Sequence, residues 1–323
     1  MYRIFSKYYK LMKDINFRKF QNDLSQKIYD SLAQGYSSKD NEVTMVERLV
    51  DVIHGSNFKG FNFYSNKIHG SRSYVEFNYR DKPITKEMSD MIIISIASFK
   101  KERIYQKISF VQNKMDNNNK WKIDEEQLFL LKNFPNFTGD KGIFKSFRND
   151  EIIFFNHSKG LGLFGLFMNP GEMILISAPL VTELQKNKVL SLDDIRIIES
   201  TSNPSGHNFM LPFMADPHFI DDFLHFHFKN DLFPLMFNGM THFLNNSIFS
   251  RDIYDFVRNW TQFNIGEPTY VFGNVINSDL DMFCNHLLRD IGVGEFVNLP
   301  SYNIEYKSHN NIAVMAMLFD LGE

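Results

Sequence analysis

Asp90, Gln112 and Lys114 each stand at the mouth of an apolar run. Asp90 opens Met91-Ile-Ile-Ile, and Gln112 and Lys114 follow Ile108-Ser-Phe-Val. Laid side by side as strands, these runs bring an acid at the start of one to a Gln-x-Lys at the end of the next. Side chains alternate along a strand, so Gln112 and Lys114, two residues apart, point to the same side. A carboxylate, an amide oxygen and the backbone carbonyl of Asn113 are hard ligands of the kind that hold Mg2+ or Mn2+ while water and a substrate phosphate complete the shell. The Lys114 ammonium can hold the attacking water and screen the phosphate. This is the equipment for metal-dependent hydrolysis of a phosphodiester, in which the cation stabilises charge and generates hydroxide.

The elements that must position these residues are legible from spacing. Ile4, Tyr8, Leu11, Ile15, Phe20, Leu24 and Ile28 recur at near-helical intervals and predict a helix over residues 1–35. Polar residues from Ser38 to Asn41 cap a second helix from Glu42 to Ile53, with Val43, Val46, Val50 and Ile53 as its apolar set. Glu47 lies at the edge of that stripe, where a carboxylate can face a cleft. Period two then takes over at Phe61 and Phe63 and from Tyr74 to Tyr79, with a turn at Asp81-Lys-Pro. The β-branched run Met91–Ile96 predicts a strand covered on both faces, and Ile108–Val111 predicts another. A helix starts at Asp124-Glu-Glu-Gln and stops before Pro135.

Further strands are expected at residues 142–147 and 151–155, and β-rich segments from 161 to 181. Helices are expected at 216–232, 250–264 and 278–291, and the tail from Ile312 to Phe319 reads equally as strand or helix. A soft boundary near residue 150 divides the chain into a first unit, 1–150, and a C-terminal α+β domain, 151–323, of unassigned role.

Asp90 followed by Gln112-Asn113-Lys114 resembles the PD-(D/E)xK superfamily of restriction-endonuclease-like nucleases, in the variant with Gln in the third position. The resemblance covers roughly residues 40–150 and implies a mixed central sheet flanked by helices. It implies a metal site of Asp90, Gln112 and Glu47, with Glu47 in the place of an extra helix-borne acid. Gln127 matches a glutamine on the helix after the last motif strand, positioning a neighbour or a phosphate. The implied activity is Mg2+-dependent (or Mn2+-dependent) endonucleolytic cleavage of DNA in a bacterial defence setting. Two alternatives stay open: a nuclease-like binding or sensor subunit that no longer cuts, and an RNase on the same scaffold.

Composition narrows the field from the other side. With 43% hydrophobic residues, 15% aromatic and 323 residues, the chain has ample material for a folded core. A net charge of −3 excludes the single-sign basic surface that would announce nucleic-acid binding by composition alone. Cys284 is the single cysteine, so one chain builds neither a disulfide framework nor a thiolate zinc site. No apolar run reaches the roughly 18 residues of a membrane span, and a cytoplasmic location is expected. The expected partners are DNA and a protein docking on the C-terminal domain, with no membrane; oligomeric state is left open, a homo-oligomer included.

Arg72, in His69-Gly-Ser-Arg, is a candidate phosphate fork, with a plain turn as its equal rival. Gly160-Leu-Gly-Leu-Phe-Gly matches a dinucleotide-binding pattern in letters, but turn residues follow it where that motif must open a helix. Asp221, Asp222 and His225 share a helical face, a spacing read first as the polar side of a Phe-rich helix.

Overall fold

A computed structural model describes residues 10–66, 73–147, 152–154, 160–201, 249–300 and 312–322. Two helices come first, α1 (Ile15–Ser38) and α2 (Glu42–Ile53), whose N-caps Asp14 and Asn41 accept from Asn16 and Thr44. β1 (Asn57–Phe58) and β2 (Phe61–Asn66) follow, then the hairpin β3 (Tyr74–Tyr79) and β4 (Lys82–Glu87). Its turn holds Arg80 and Asp81 at positive φ, as the turn signal implied. Next come β5 (Met91–Phe99), the long β6 (Glu102–Asp116), β7 (Lys120–Lys122), α3 (Glu125–Asn133) and β8 (Phe137–Gly139). The strand expected at 142–147 is instead a 3-10 turn, Gly142–Phe147. Gly142 sits at φ 68°, and a Cβ there would stand only 2.4 Å from Ser73 Oγ, so the position favours glycine.

The remaining elements are β9 (Gly162–Met168), β10 (Glu172–Ser177), α4 (Ala178–Leu184), β11 (Val189–Ser191), α5 (Leu192–Thr201) and β12 (Phe249–Ser250). They are followed by α6 (Ile253–Thr261), β13 (Glu267–Val271), β14 (Asn274–Val275), α7 (Ser278–Asp290) and β15 (Ala313–Asp320). The ambiguous tail is therefore a strand. The helix expected at 216–232 and the cluster of Asp221, Asp222 and His225 lie outside the described residues.

One mixed sheet runs in the order β1-β2-β15-β5-β6-β9-β10-β12, with β13 and β14 attached beside β6. β5 and β6 are antiparallel, β15 is parallel to β5, and β9 is parallel to β6. A parallel neighbour requires a crossover, and the connection from β6 to β9 carries α3. Alternation along these strands sorts the core into two faces. Ile92, Ile94, Phe110, Phe164 and Leu166 pack with Leu130 and Leu131 of α3 and with Phe283 and Leu287 of α7. Met91, Ile93, Val111, Met315 and Met317 pack with Leu24 and Ile28 of α1, Met45 and Leu49 of α2, and Trp260 of α6. The molecule is thus a mixed sheet flanked by helices.

The expected division near residue 150 does not correspond to a division of this sheet. Strands from both sides of that position pair with one another, β6 with β9 and β5 with β15. β3, β4 and β8 form a separate three-stranded sheet. No helix among the described residues is long and apolar enough to cross a membrane.

Candidate active site at the overhang of β6

β6 is longer than its partner. The ladder with β5 runs as far as Met91 opposite Val111, so residues 112–116 extend past it while their other edge pairs with β9. In a strand, the N–H and C=O of one residue project to the same edge. The N–H groups of Asn113 and Met115 therefore leave β6 on the β5 side, and both are taken by carboxylates. Asp90 Oδ2 accepts from Asn113 N at 2.6 Å. Glu42 Oε2, from the first turn of α2, accepts from Met115 N at 3.1 Å. The carbonyl of Asn113 projects from the same edge, between these two N–H groups.

Lys114 Nζ lies 3.9 Å from Glu42 Oε1, so its ammonium is drawn toward this edge. On the other side of Asp90, the buried Gln112 donates through Nε2 to Asp90 Oδ2 and accepts at Oε1 from Nε2 of the buried Gln127. Gln127 Nε2 also donates to the carbonyl of Glu87 at 3.1 Å. The Asn113 side chain takes the opposite face. It is fully buried, and a Cβ on Gly165 would stand 2.3 Å from its Oδ1. The main chain of Asn113, not its side chain, belongs to this arrangement.

Asp90, Gln112 and Gln127 are thus joined by hydrogen bonds, while Lys114, on the same overhang, pairs with Glu42. Glu47 is half-buried further along α2, and among the described residues no hydrogen bond or ion pair joins it to Gln112, Lys114 or Gln127. Arg72 lies outside the described residues. The acid that sequence reading missed is Glu42. Its signal was present: Glu42 is three and four residues before Met45 and Val46, on the buried stripe of α2, whereas Glu47 is one step off it.

The donor set bears on the expected cation. Asp90 and Glu42 are carboxylates at one strand edge with the Asn113 carbonyl between their contacts, a hard-oxygen set that suits Mg2+ or Mn2+ with water completing the shell. Gln112 contributes differently, because its oxygen is held by Gln127. Among the described residues there is no group of three or more His, Cys, Asp and Glu side chains placed to hold a metal.

Compared with protein-family models, with curated proteins and with solved structures, the chain has no match.

Proposed function

We propose that this chain is a metal-dependent endonuclease of the restriction-endonuclease-like kind, acting on DNA. The observation that carries the proposal is the overhang of β6, where Asp90 accepts from the Asn113 N–H, Glu42 accepts from the Met115 N–H and the Lys114 ammonium lies 3.9 Å from Glu42. The pairing also favours it: the acid opens one strand, Gln-x-Lys closes its antiparallel neighbour, and a helix then leads to a parallel strand.

In this reading Asp90, Glu42 and the Asn113 carbonyl hold the cation. When bound, that ion neutralises developing charge on the phosphate and acidifies a water. Gln112 and the Asn113 N–H fix Asp90 in place. Lys114 orients the water and screens a non-bridging phosphate oxygen, and Glu42 keeps the ammonium at the strand edge.

The test is nicking of supercoiled plasmid with Mg2+ or Mn2+. Asp90→Asn and Lys114→Met are expected to lower the rate at least ~100-fold with the circular dichroism spectrum unchanged. Cleavage at the wild-type rate by either variant would refute the assignment, and an RNA panel run alongside separates a ribonuclease. A second reading, a subunit that binds DNA without cutting it, is favoured by the engagement of the Gln112 oxygen with Gln127. DNA binding with no nicking under any divalent cation selects it.

A further inference from the structure

We infer that Gln112 is a positioning residue that donates a hydrogen bond to Asp90 and is not a cation ligand, its orientation being imposed from the backbone carbonyl of Glu87 through Gln127. The effect on cation binding rests on the nuclease reading; the orientation itself does not.

The argument starts at an atom that can only accept. The Glu87 carbonyl, at the end of β4, takes a hydrogen bond from Gln127 Nε2 at 3.1 Å, so the Gln127 amide must turn its NH2 group that way. The second hydrogen of the same nitrogen goes to Gln112 Oε1. With its oxygen committed, Gln112 has only its NH2 left to present to Asp90, and Oδ2 receives it together with the Asn113 N–H.

Each reversal fails on the same grounds. Turning Gln127 sets its oxygen against the Glu87 oxygen. Turning Gln112 sets two NH2 groups face to face and points an amide oxygen at a carboxylate. Both glutamines are buried, at 3% and 8% exposure, so water is poorly placed to repair either mismatch. The polarity of the chain Glu87, Gln127, Gln112, Asp90 is therefore fixed from one end.

A cation approaching Asp90 then meets the positive end of the Gln112 dipole. Removing that amide removes a competitor for the carboxylate, whereas removing a ligand would weaken binding. Unchanged or tighter binding without the amide marks a competing donor, and where binding weakens the direction of the Gln112 amide separates a ligand from a donor.

The experiment is calorimetric titration of Mn2+ into the full chain and its Gln112→Met, Gln127→Met and Asp90→Asn variants, with neutron diffraction of the cation-free, deuterium-exchanged protein. Gln112→Met and Gln127→Met are expected to bind Mn2+ as tightly as wild type or more tightly, while Asp90→Asn loses at least about tenfold. Weakening of about tenfold or more in Gln112→Met together with the Gln112 oxygen directed at Asp90 overturns the inference. If that variant fails to fold, the neutron map of the wild-type protein decides the orientation by itself. Neutron density must place the Gln112 deuterium atoms toward Asp90; deuterium directed at Gln127 overturns it. Absence of Mn2+ binding by wild type ends the nuclease reading, and the neutron map still decides the orientation.

Discussion

Two carboxylates reach the overhang of β6 by different routes. Asp90 arrives from the adjacent strand and Glu42 from the first turn of α2, each at an N–H that β5 is too short to pair. An unpaired backbone donor in a half-buried place is costly, so both acids have a structural reason to be there before any chemistry is asked of them. What distinguishes Glu42 is its second oxygen, 3.9 Å from Lys114 Nζ. Glu42→Gln retains an oxygen for the Met115 N–H, so the fold is expected to survive. The charge beside Lys114 is lost, and Mn2+ affinity is expected to fall about tenfold, against little change for Glu47→Gln. Calorimetry decides between them, and equal losses in the two variants would remove Glu42 from its assigned place. Strand alternation and register, which follow from hydrophobic pattern, made the neighbourhood of Asp90 and Gln112 legible, and Gln127 entered through the family resemblance. Sequence reading did not reach Glu42 as a site residue, because the choice between two acids on one helix turns on where α2 meets the end of a strand.

The element that organises the site is β6, which serves β5 along one edge and first β13, then β9, along the other. Its N-terminal half is tied to α7 by a buried polar cluster. Arg103 makes hydrogen bonds from Nη1 to Asp281 Oδ1 at 2.6 Å and to Asn285 Oδ1 at 2.8 Å, and its guanidinium lies 3.7 Å from the centre of the Tyr270 ring. Gln106 joins Asp281 and Thr269 to the same cluster. Cutting one member leaves a buried charge unmatched, so Arg103→Ala is expected to cost about 3–5 kcal/mol in chemical denaturation. Replacing both charges, as Arg103→Met with Asp281→Leu, is expected to cost less than Arg103→Ala alone. A double variant as unstable as the single one would show that packing, not the ion pair, supplies the tie. Runs of β-branched residues announced β5 and β6, but nothing in local pattern announced that Arg103 finds Asp281, 178 residues away. Local period reports which face is buried and not what covers it.

At the scale of the molecule, the ten-stranded sheet carries a hydrophobic core on each face. β15 enters the middle of the sheet, between β2 and β5, with seven of its eight residues buried, so the expected two-unit division does not separate this sheet. A local loss of stability in α7 is therefore felt by the whole sheet, because Phe283 and Leu287 pack in the same cluster as Phe110 of β6. His286 provides such a loss. Burial, with the nearby Arg289 charge, depresses its ionisation from 6.5 to about 4. Asp290, 3.3 Å from its Nε2, does not reverse this, since burial raises the Asp290 carboxyl and weakens it as an anion. Below pH 6.5 the unfolded chain binds a proton at this histidine that the folded chain refuses, so stability falls as pH falls. The contribution is complete above pH 6.5 and gone below about pH 4, on the order of 3 kcal/mol in all. Asp290 acts in the opposite sense, its protonation in the folded state returning part of the loss at the acid end. The melting temperature of the full chain is expected to decline between pH 6.5 and 4, and His286→Leu to flatten that decline. Parallel profiles for the two proteins would place the acid sensitivity elsewhere in the core.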